Sequence, residues 1–187
     1  MNTVAFVVAV VFGLMLAEQQ VSTRHERQLK SEGAIVPDGD VYLALAVAYP
    51  VAFVLMGVEG AWRAVHETAS VAPDAGPSWM ASGVVLFGAS KALKYWAIRS
   101  LGYRWSFRVM VLPGHPLVSS GPYRYVAHPN YIAVIGELVA TAIMVGAKVS
   151  GPVMIAIFGL VLWARLRFEN RVLADLRPKR EREPGVD

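Results

Sequence analysis

The chain contains no cysteine, and only 17% of its 187 residues are charged. The absence of cysteine excludes a disulfide scaffold, a thiolate metal site and a cysteine nucleophile. Soluble domains usually carry about 25% charged residues, whereas 55% of this chain is hydrophobic. The apolar residues fall in long blocks rather than at amphipathic spacing, which indicates an integral membrane protein.

Five apolar blocks follow one another, each close to the length of about 20 residues that a bilayer span needs. They run from Asn2 to Ala17, Val41 to Val58, Trp79 to about Ile98, Tyr131 to Ala147 and Val149 to Ala164. The first block lacks the basic segment and small-residue cleavage site of a signal peptide, so we expect a retained helix. The segment Lys148 to Pro152 predicts a tight helical hairpin between the last two blocks. The pattern therefore predicts an all-α membrane protein with five transmembrane helices.

We predict one membrane domain made of three successive parts. Residues 1–100 form three N-terminal spans, and residues 101–176 contain the last two spans and a tail helix. Residues 177–187 are charged and contain proline, and we expect this tail to be disordered. The polar stretch from Arg24 to Asp40 has ordinary loop composition and is expected to connect the first two spans.

Basic residues are concentrated on one side of this predicted bundle. That side has three such residues after the first span, four after the third and seven after the fifth: Arg24, Arg27, Lys30, Arg99, Arg104, Arg108, Arg124, Arg165, Arg167, Arg171, Arg177, Lys179, Arg180 and Arg182. The opposite side has Arg63 and Lys148. Because basic loops favour the cytoplasm, we expect the N-terminus outside and the C-terminus inside. This topology and anionic lipid headgroups account for the net charge of +4, and no motif predicts a nucleic-acid partner.

The loop from His115 to Tyr131 is rich in ring and ionisable side chains. It contains three prolines, two histidines, three tyrosines and an arginine in 17 residues, which a mere connector between spans does not require. Its Pro and Gly residues stiffen the backbone and can fix His115, Tyr123, His128 and Tyr131 in position. For single tyrosines, an interfacial belt is the alternative. The two histidines lack metal-ligand spacing, so we predict no metal site.

Three charged residues near or inside the last two spans complete the candidate site. Glu137 lies within the fourth block, where an unpaired carboxylate is costly. It either contacts a substrate or pairs with a neighbouring helix. Arg165 and Glu169 are four residues apart and share one face of the helix that leaves the membrane.

These residues resemble the isoprenylcysteine carboxyl methyltransferase family of integral membrane enzymes. The resemblance lies in the sequence His115-Pro-Leu-Val-Ser-Ser-Gly-Pro-Tyr123, then His128-Pro-Asn-Tyr131, then Arg165-x-x-x-Glu169. It covers about residues 100 to 175, and its order of loop motif, hairpin and Arg/Glu helix is fairly specific.

The resemblance implies that S-adenosylmethionine donates a methyl group from a pocket facing the cytoplasm. The loop before the fourth span and the last helix would form this pocket. The residues implied to line the cofactor are His115, Leu117, Val118, Tyr123, His128, Pro129, Asn130, Tyr131 and Glu169. Arg165 and Glu169 would be the catalytic pair, with Arg165 facing an acceptor whose lipid tail enters from the bilayer.

The chain departs from the family pattern at two positions, and the acceptor stays open. Ala127 replaces the usual Arg before His128-Pro129, and Asn170 replaces a second acidic residue. Carboxyl methylation of a prenylated acceptor, O-methylation of a long-chain phenolic or pyrone lipid, and phospholipid N-methylation are the alternatives. A hydroxyl acceptor would require a base such as His128, Glu137 or Glu169.

A small membrane transporter or scaffold is the alternative from another functional class. Glu137 with Lys91 and Lys94 would then line an ion path. The two halves of the chain show no internal repeat, and their Gly and Pro interruptions do not match, which argues against a transporter.

Overall fold

A computed structural model describes residues 3–66, 77–113 and 118–175 of the chain. These ranges contain five α-helices: α1 (Thr3–Ser31), α2 (Tyr42–His66), α3 (Pro77–Leu101), α4 (Pro129–Val145) and α5 (Ser150–Asp175). Outside the helices, the described residues form one isolated antiparallel β-bridge, between Ile35 and Val111. The prediction of an all-α protein is confirmed. The tail predicted to be disordered, residues 177–187, lies outside the described residues.

Helix α1 corrects the prediction that Arg24 to Asp40 is a loop, because the helix continues to Ser31. The polar part of α1 is supported by side-chain hydrogen bonds one turn apart, including Ser22 Oγ to Glu26 Oε1 at 2.9 Å and Gln28 Nε2 to Glu32 Oε1 at 3.1 Å. Such pairs stabilise a helix without an apolar face. Loop composition therefore misled the prediction, and the true connector begins at residue 32.

Among the described residues, three helices are long and apolar enough to cross a bilayer: α1, α2 and the Ser150–Val172 part of α5. They make the chain an integral membrane protein. Helix α4 is apolar but only 17 residues long. Helix α3 has 25 residues, but it does not belong to the three apolar helices and contains the charged Lys91 and Lys94. Five spans therefore stay a prediction.

Helix α4 lies at the centre of the bundle and contacts each of the other four helices. Small residues allow α3 and α4 to approach closely: a side chain at Gly136 would collide with Ser90, and one at Gly83 with Met144. In a bilayer the lipid tails are as apolar as the side chains, so the hydrophobic effect contributes little to helix association. Membrane helices associate instead through close packing at small residues of this kind. The central position of α4 places its first turn between the other elements that form the candidate site.

The predicted hairpin between the last two helices is confirmed. Helix α4 ends where Gly146 adopts a left-handed conformation, with a φ of 69°, and the next helix begins at Ser150. Glu59 of α2 accepts hydrogen bonds from the backbone N–H groups of Val149 and Ser150 and from the Ser150 hydroxyl. A carboxylate satisfies the free N–H groups of a helix start and matches its dipole, so the hairpin is fixed to α2.

Candidate functional site

The candidate site forms where the start of α4 meets the last turns of α5. Pro129 is the first residue of α4, where its missing N–H costs no hydrogen bond and its fixed φ favours the helix. His128 precedes it as the N-cap, and Tyr131 follows in the first turn. The His-Pro-x-Tyr sequence is thus the start of a helix, and it holds the two rings at a fixed spacing.

The Tyr131 hydroxyl joins the two parts of the sequence motif. It accepts a hydrogen bond from Arg165 Nε at 2.9 Å and donates one to Glu169 Oε2 at 2.6 Å. Arg165 and Glu169 are successive-turn residues of α5, so the tyrosine bridges them from the neighbouring helix. Bonds to charged groups are roughly twice as strong as neutral ones, which makes this bridge a rigid part of the site.

Two further rings of the loop lie beside Glu169. His128 stacks on Tyr131, with ring centroids 5.3 Å apart and planes 10° apart, and its Nδ1 lies 3.8 Å from Glu169 Oε2. Burial raises the pKa of Tyr123, and the Glu169 carboxylate acts in the same direction. Tyr123 therefore remains a protonated hydroxyl over the physiological pH range.

The opposite side of the Arg165 guanidinium faces other parts of the protein. Nη2 donates a hydrogen bond to the backbone oxygen of Phe107, and Nη1 lies 3.8 Å from Asp40 Oδ1. The side chains of Arg165 and Asp40 are 7% and 8% exposed, so this contact is shielded from water. Neither Phe107 nor Asp40 was predicted as a site residue, because both lie in connecting segments that carry no sequence motif.

The backbone around Phe107 is held by α1 and the loop that follows it. His25 Nδ1 lies 2.8 Å from the Trp105 oxygen, and the Phe107 N–H donates to Ser22 Oγ at 2.9 Å. The Val109 N–H donates to Asp40 Oδ2 at 3.0 Å. The N-terminal half thus supplies one wall of the site.

The structure brings together Tyr123, His128, Tyr131, Arg165 and Glu169 among the predicted site residues. Pro129 is buried and Val118 is half-buried. The side-chain oxygen of Asn130 is buried and has no hydrogen-bond partner in the described part of the chain. His115 and Leu117 lie outside the described residues.

Glu137 lies in a separate cluster deeper in the bundle, which we call the buried charge network: Glu18, Lys91, Lys94 and Glu137. Lys91 Nζ lies 2.6 Å from Glu18 and 2.9 Å from Glu137. Lys94 Nζ lies 2.9 Å from Glu18 and 2.8 Å from Glu137, the latter as an ion pair rather than an aligned hydrogen bond. The Tyr49 hydroxyl donates to Glu137 Oε2 at 2.6 Å. Two carboxylates and two ammonium groups therefore balance among α1, α3 and α4.

Both departures from the family motif are exposed. Ala127 lies on the surface of the loop, and Asn170 lies on the exposed face of α5 beside Glu169. Neither position belongs to the Arg165–Tyr131–Glu169 bridge, so this bridge is complete without the two missing charges.

Comparison with known proteins assigns the second half of the chain to a family. Residues 82–175 match the isoprenylcysteine carboxyl methyltransferase (ICMT) family. The chain is 28% identical over 173 residues to the uncharacterized protein YpbQ of Bacillus subtilis, which covers 92% of this chain and 97% of the relative. It is 27% identical over 175 residues to an uncharacterized protein of Haemophilus influenzae, which covers 91% of this chain and 95% of the relative. No solved structure matches the chain. Because the matched segment holds half of the sequence and the bridge of the candidate site, the chain belongs to the isoprenylcysteine carboxyl methyltransferase family.

Proposed function

We propose that this protein transfers a methyl group from S-adenosylmethionine to a lipophilic acceptor at the cytoplasmic edge of the membrane. One observation carries the proposal: the Tyr131 hydroxyl bridges Arg165 and Glu169 inside the segment that matches a methyltransferase family. The basic residues at this end of the helices support a cytoplasmic site, with the N-terminus outside and the C-terminus inside.

The residues beside Glu169 fit the chemistry of S-adenosylmethionine. The Glu169 carboxylate can accept hydrogen bonds from ribose hydroxyls, and the buried, unpartnered oxygen of Asn130 is a second acceptor. The stacked rings of His128 and Tyr131 offer faces to an adenine or a sulfonium cation. His115, Leu117, Val118, Tyr123 and Pro129 complete the proposed cofactor set. When bound, the cofactor supplies a methyl group on a sulfonium, which the acceptor atom takes by in-line displacement.

The protein contributes positioning and exclusion of water. The bridge of Arg165, Tyr131 and Glu169 holds a cofactor side and an acceptor side at a fixed separation. Orientation of two reactants contributes up to about 7–11 kcal/mol to a barrier. We propose that Arg165 and Glu169 are the catalytic pair, with Glu169 on the cofactor side and Arg165 on the acceptor side. An acceptor with a lipid tail reaches this edge from the bilayer without crossing water.

Two acceptor chemistries fit a lipophilic substrate. A carboxylate, as in isoprenylcysteine, would bind Arg165 through paired hydrogen bonds. A hydroxyl on a long-chain phenolic or pyrone lipid is the second candidate, with its proton passing to a base such as His128 or Glu169. One observation favours this acceptor. Each of the three guanidinium nitrogens of Arg165 already faces a protein oxygen, on Tyr131, Phe107 or Asp40.

We propose a structural role for Glu137 in place of an acceptor contact. Its side chain is fully buried and pairs with Lys91, Lys94 and Tyr49. A substrate would have to break these contacts inside the bundle, which is costly for a buried ion pair. The same pairing neutralises Glu137, Lys91 and Lys94, the three charges of the alternative ion path.

Calorimetry with S-adenosylhomocysteine on the protein in detergent tests the proposal. We expect the wild type to bind. Glu169→Gln should bind about tenfold more weakly, because the amide oxygen still accepts a hydrogen bond but lacks the charge that strengthens it. Arg165→Ala should bind within about threefold of the wild type. Arg165→Ala should nevertheless abolish methyl transfer. Absence of binding in the wild type, or equal loss of binding in both variants, would contradict the assigned roles.

The type of bond that the methyl group forms can be identified in membranes incubated with a donor that carries a radiolabelled methyl group. A label released as a volatile product by base indicates a methyl ester. A label that stays in the extracted lipid after base indicates an ether or an amine. No label in either fraction would contradict lipid methylation.

A further inference from the structure

Asp40 presents a carboxylate to Nη1 of the Arg165 guanidinium, whereas Tyr131 contacts Nε. One oxygen, Oδ2, accepts the Val109 N–H at 3.0 Å. The other, Oδ1, is buried and has no hydrogen-bond partner among the described residues, and it lies 3.8 Å from Arg165 Nη1. A buried carboxylate oxygen without a hydrogen bond is costly, so its charge is stabilised mainly by the guanidinium.

The fold fixes Asp40 in this place through its neighbours. Gly39 has a φ of +93° and lies against the ring of Phe168, which brings the loop onto α5 next to Arg165. The bridge between Ile35 and Val111 anchors the same loop through backbone hydrogen bonds of 2.8 and 2.9 Å. Asp40 lies outside the family-matched residues 82–175, in a part of the chain that the catalytic motif does not cover.

The charges around the acceptor side determine which acceptor binds. An acceptor carboxylate would have to approach Arg165 while Asp40 holds a negative charge against the same guanidinium. Like charges a few ångströms apart repel strongly where water is excluded. A neutral hydroxyl binds without such repulsion and needs no free pair of guanidinium N–H groups. Its proton passes to a base such as His128 or Glu169 as the methyl group is transferred.

We infer that Asp40 is a specificity-determining residue that occupies the acceptor side of Arg165 and disfavours acceptors carrying a carboxylate. This inference rests on the proposed function, because it assigns the acceptor class of the same site. Asp40 acts by charge and position and takes no part in bond formation.

Asp40→Asn tests the inference because the amide keeps an acceptor for the Val109 N–H and removes the charge. We compare kcat/KM for two probes with matched tails, an N-acylated S-farnesylcysteine with a free carboxylate and a long-chain resorcinol. We expect Asp40→Asn to raise the ratio of carboxylate to hydroxyl turnover by about tenfold or more. Asp38→Asn, the same change at an exposed position two residues away, should leave the ratio at the wild-type value.

The outcomes separate this inference from the proposed function. A purely structural role of Asp40 would lower both turnover rates together, and an unchanged ratio with intact S-adenosylhomocysteine binding would overturn the inference alone. Failure of the wild type to bind S-adenosylhomocysteine would overturn both. If Asp40→Asn does not accumulate as folded protein, Asp40→Glu is compared in the same assay. Because it retains the charge, this variant should keep the wild-type ratio, and a raised ratio would overturn the inference.

Discussion

The Tyr131 hydroxyl has two charged partners, and each fixes the direction of its proton. Arg165 Nε can only donate, so the hydroxyl must accept from it and donate to Glu169. The proton of this tyrosine therefore points at the carboxylate proposed to hold the cofactor. A single atom thus connects the proposed acceptor side with the proposed cofactor side.

Tyr131→Phe removes that atom and keeps the ring that stacks on His128. It leaves Arg165 Nε and Glu169 Oε2 without their bond to the tyrosine, and an unmade bond of this kind costs about 1–3 kcal/mol. We expect affinity for S-adenosylhomocysteine, measured by calorimetry, to fall about tenfold. Tyr125→Phe is the matched control, since Tyr125 is 74% exposed. Equal affinity in both variants would contradict the role given to the bridge.

At the scale of the helices, the buried charge network connects α1, α3 and α4 inside the bundle. Glu18 is on α1, the two lysines are on α3, and Glu137 is on α4. Lys94 and Glu137 have no exposed side-chain surface, and Glu18 has 3%. Removal of one member leaves an uncompensated buried charge, whereas removal of an opposite pair restores neutrality.

Glu18→Gln should therefore lower the stability of the protein by more than its small change in shape implies. It leaves two lysines facing one carboxylate, and breaking a buried pair in this way costs about 3–5 kcal/mol. Adding Lys91→Met returns the network to zero net charge, so we expect the double variant to be more stable than the sum of the two single variants. Thermal unfolding of the four proteins in detergent measures this coupling. Strict additivity would show that the four charges act independently.

For the whole molecule, the lengths of the apolar blocks predicted the five described helices well, because apolar composition and helix formation coincide within these blocks. The prediction failed at Arg24 to Asp40, where α1 continues as a polar helix to Ser31. That extension is held by contacts with the segment around Trp105 and Phe107. Such contacts join residues far apart in sequence, and local composition does not encode them.

The site was predictable only where its residues form a short motif. His128, Tyr131, Arg165 and Glu169 have motif spacing, and the structure brings them together. Asp40 and Glu18 lie in stretches without a motif, and only packing shows that each faces a buried cation. The sequence singled out Glu137 for its cost in the membrane and grouped it with Lys91 and Lys94 in a possible ion path. Their direct pairing depends on how α3 packs against α4, and composition does not encode that packing.

The orientation of the whole bundle is testable because the chain contains no cysteine. Lys148 lies in the hairpin between α4 and α5, and Arg171 lies in the last turns of α5, so the two are at opposite ends of one helix. Both are exposed. We expect Lys148→Cys to react with a membrane-impermeant maleimide in intact cells. Arg171→Cys should react only after the membrane is opened, because basic ends face the cytoplasm. Labelling of Arg171→Cys in intact cells would place the site outside the cell, where S-adenosylmethionine made in the cytoplasm does not reach it.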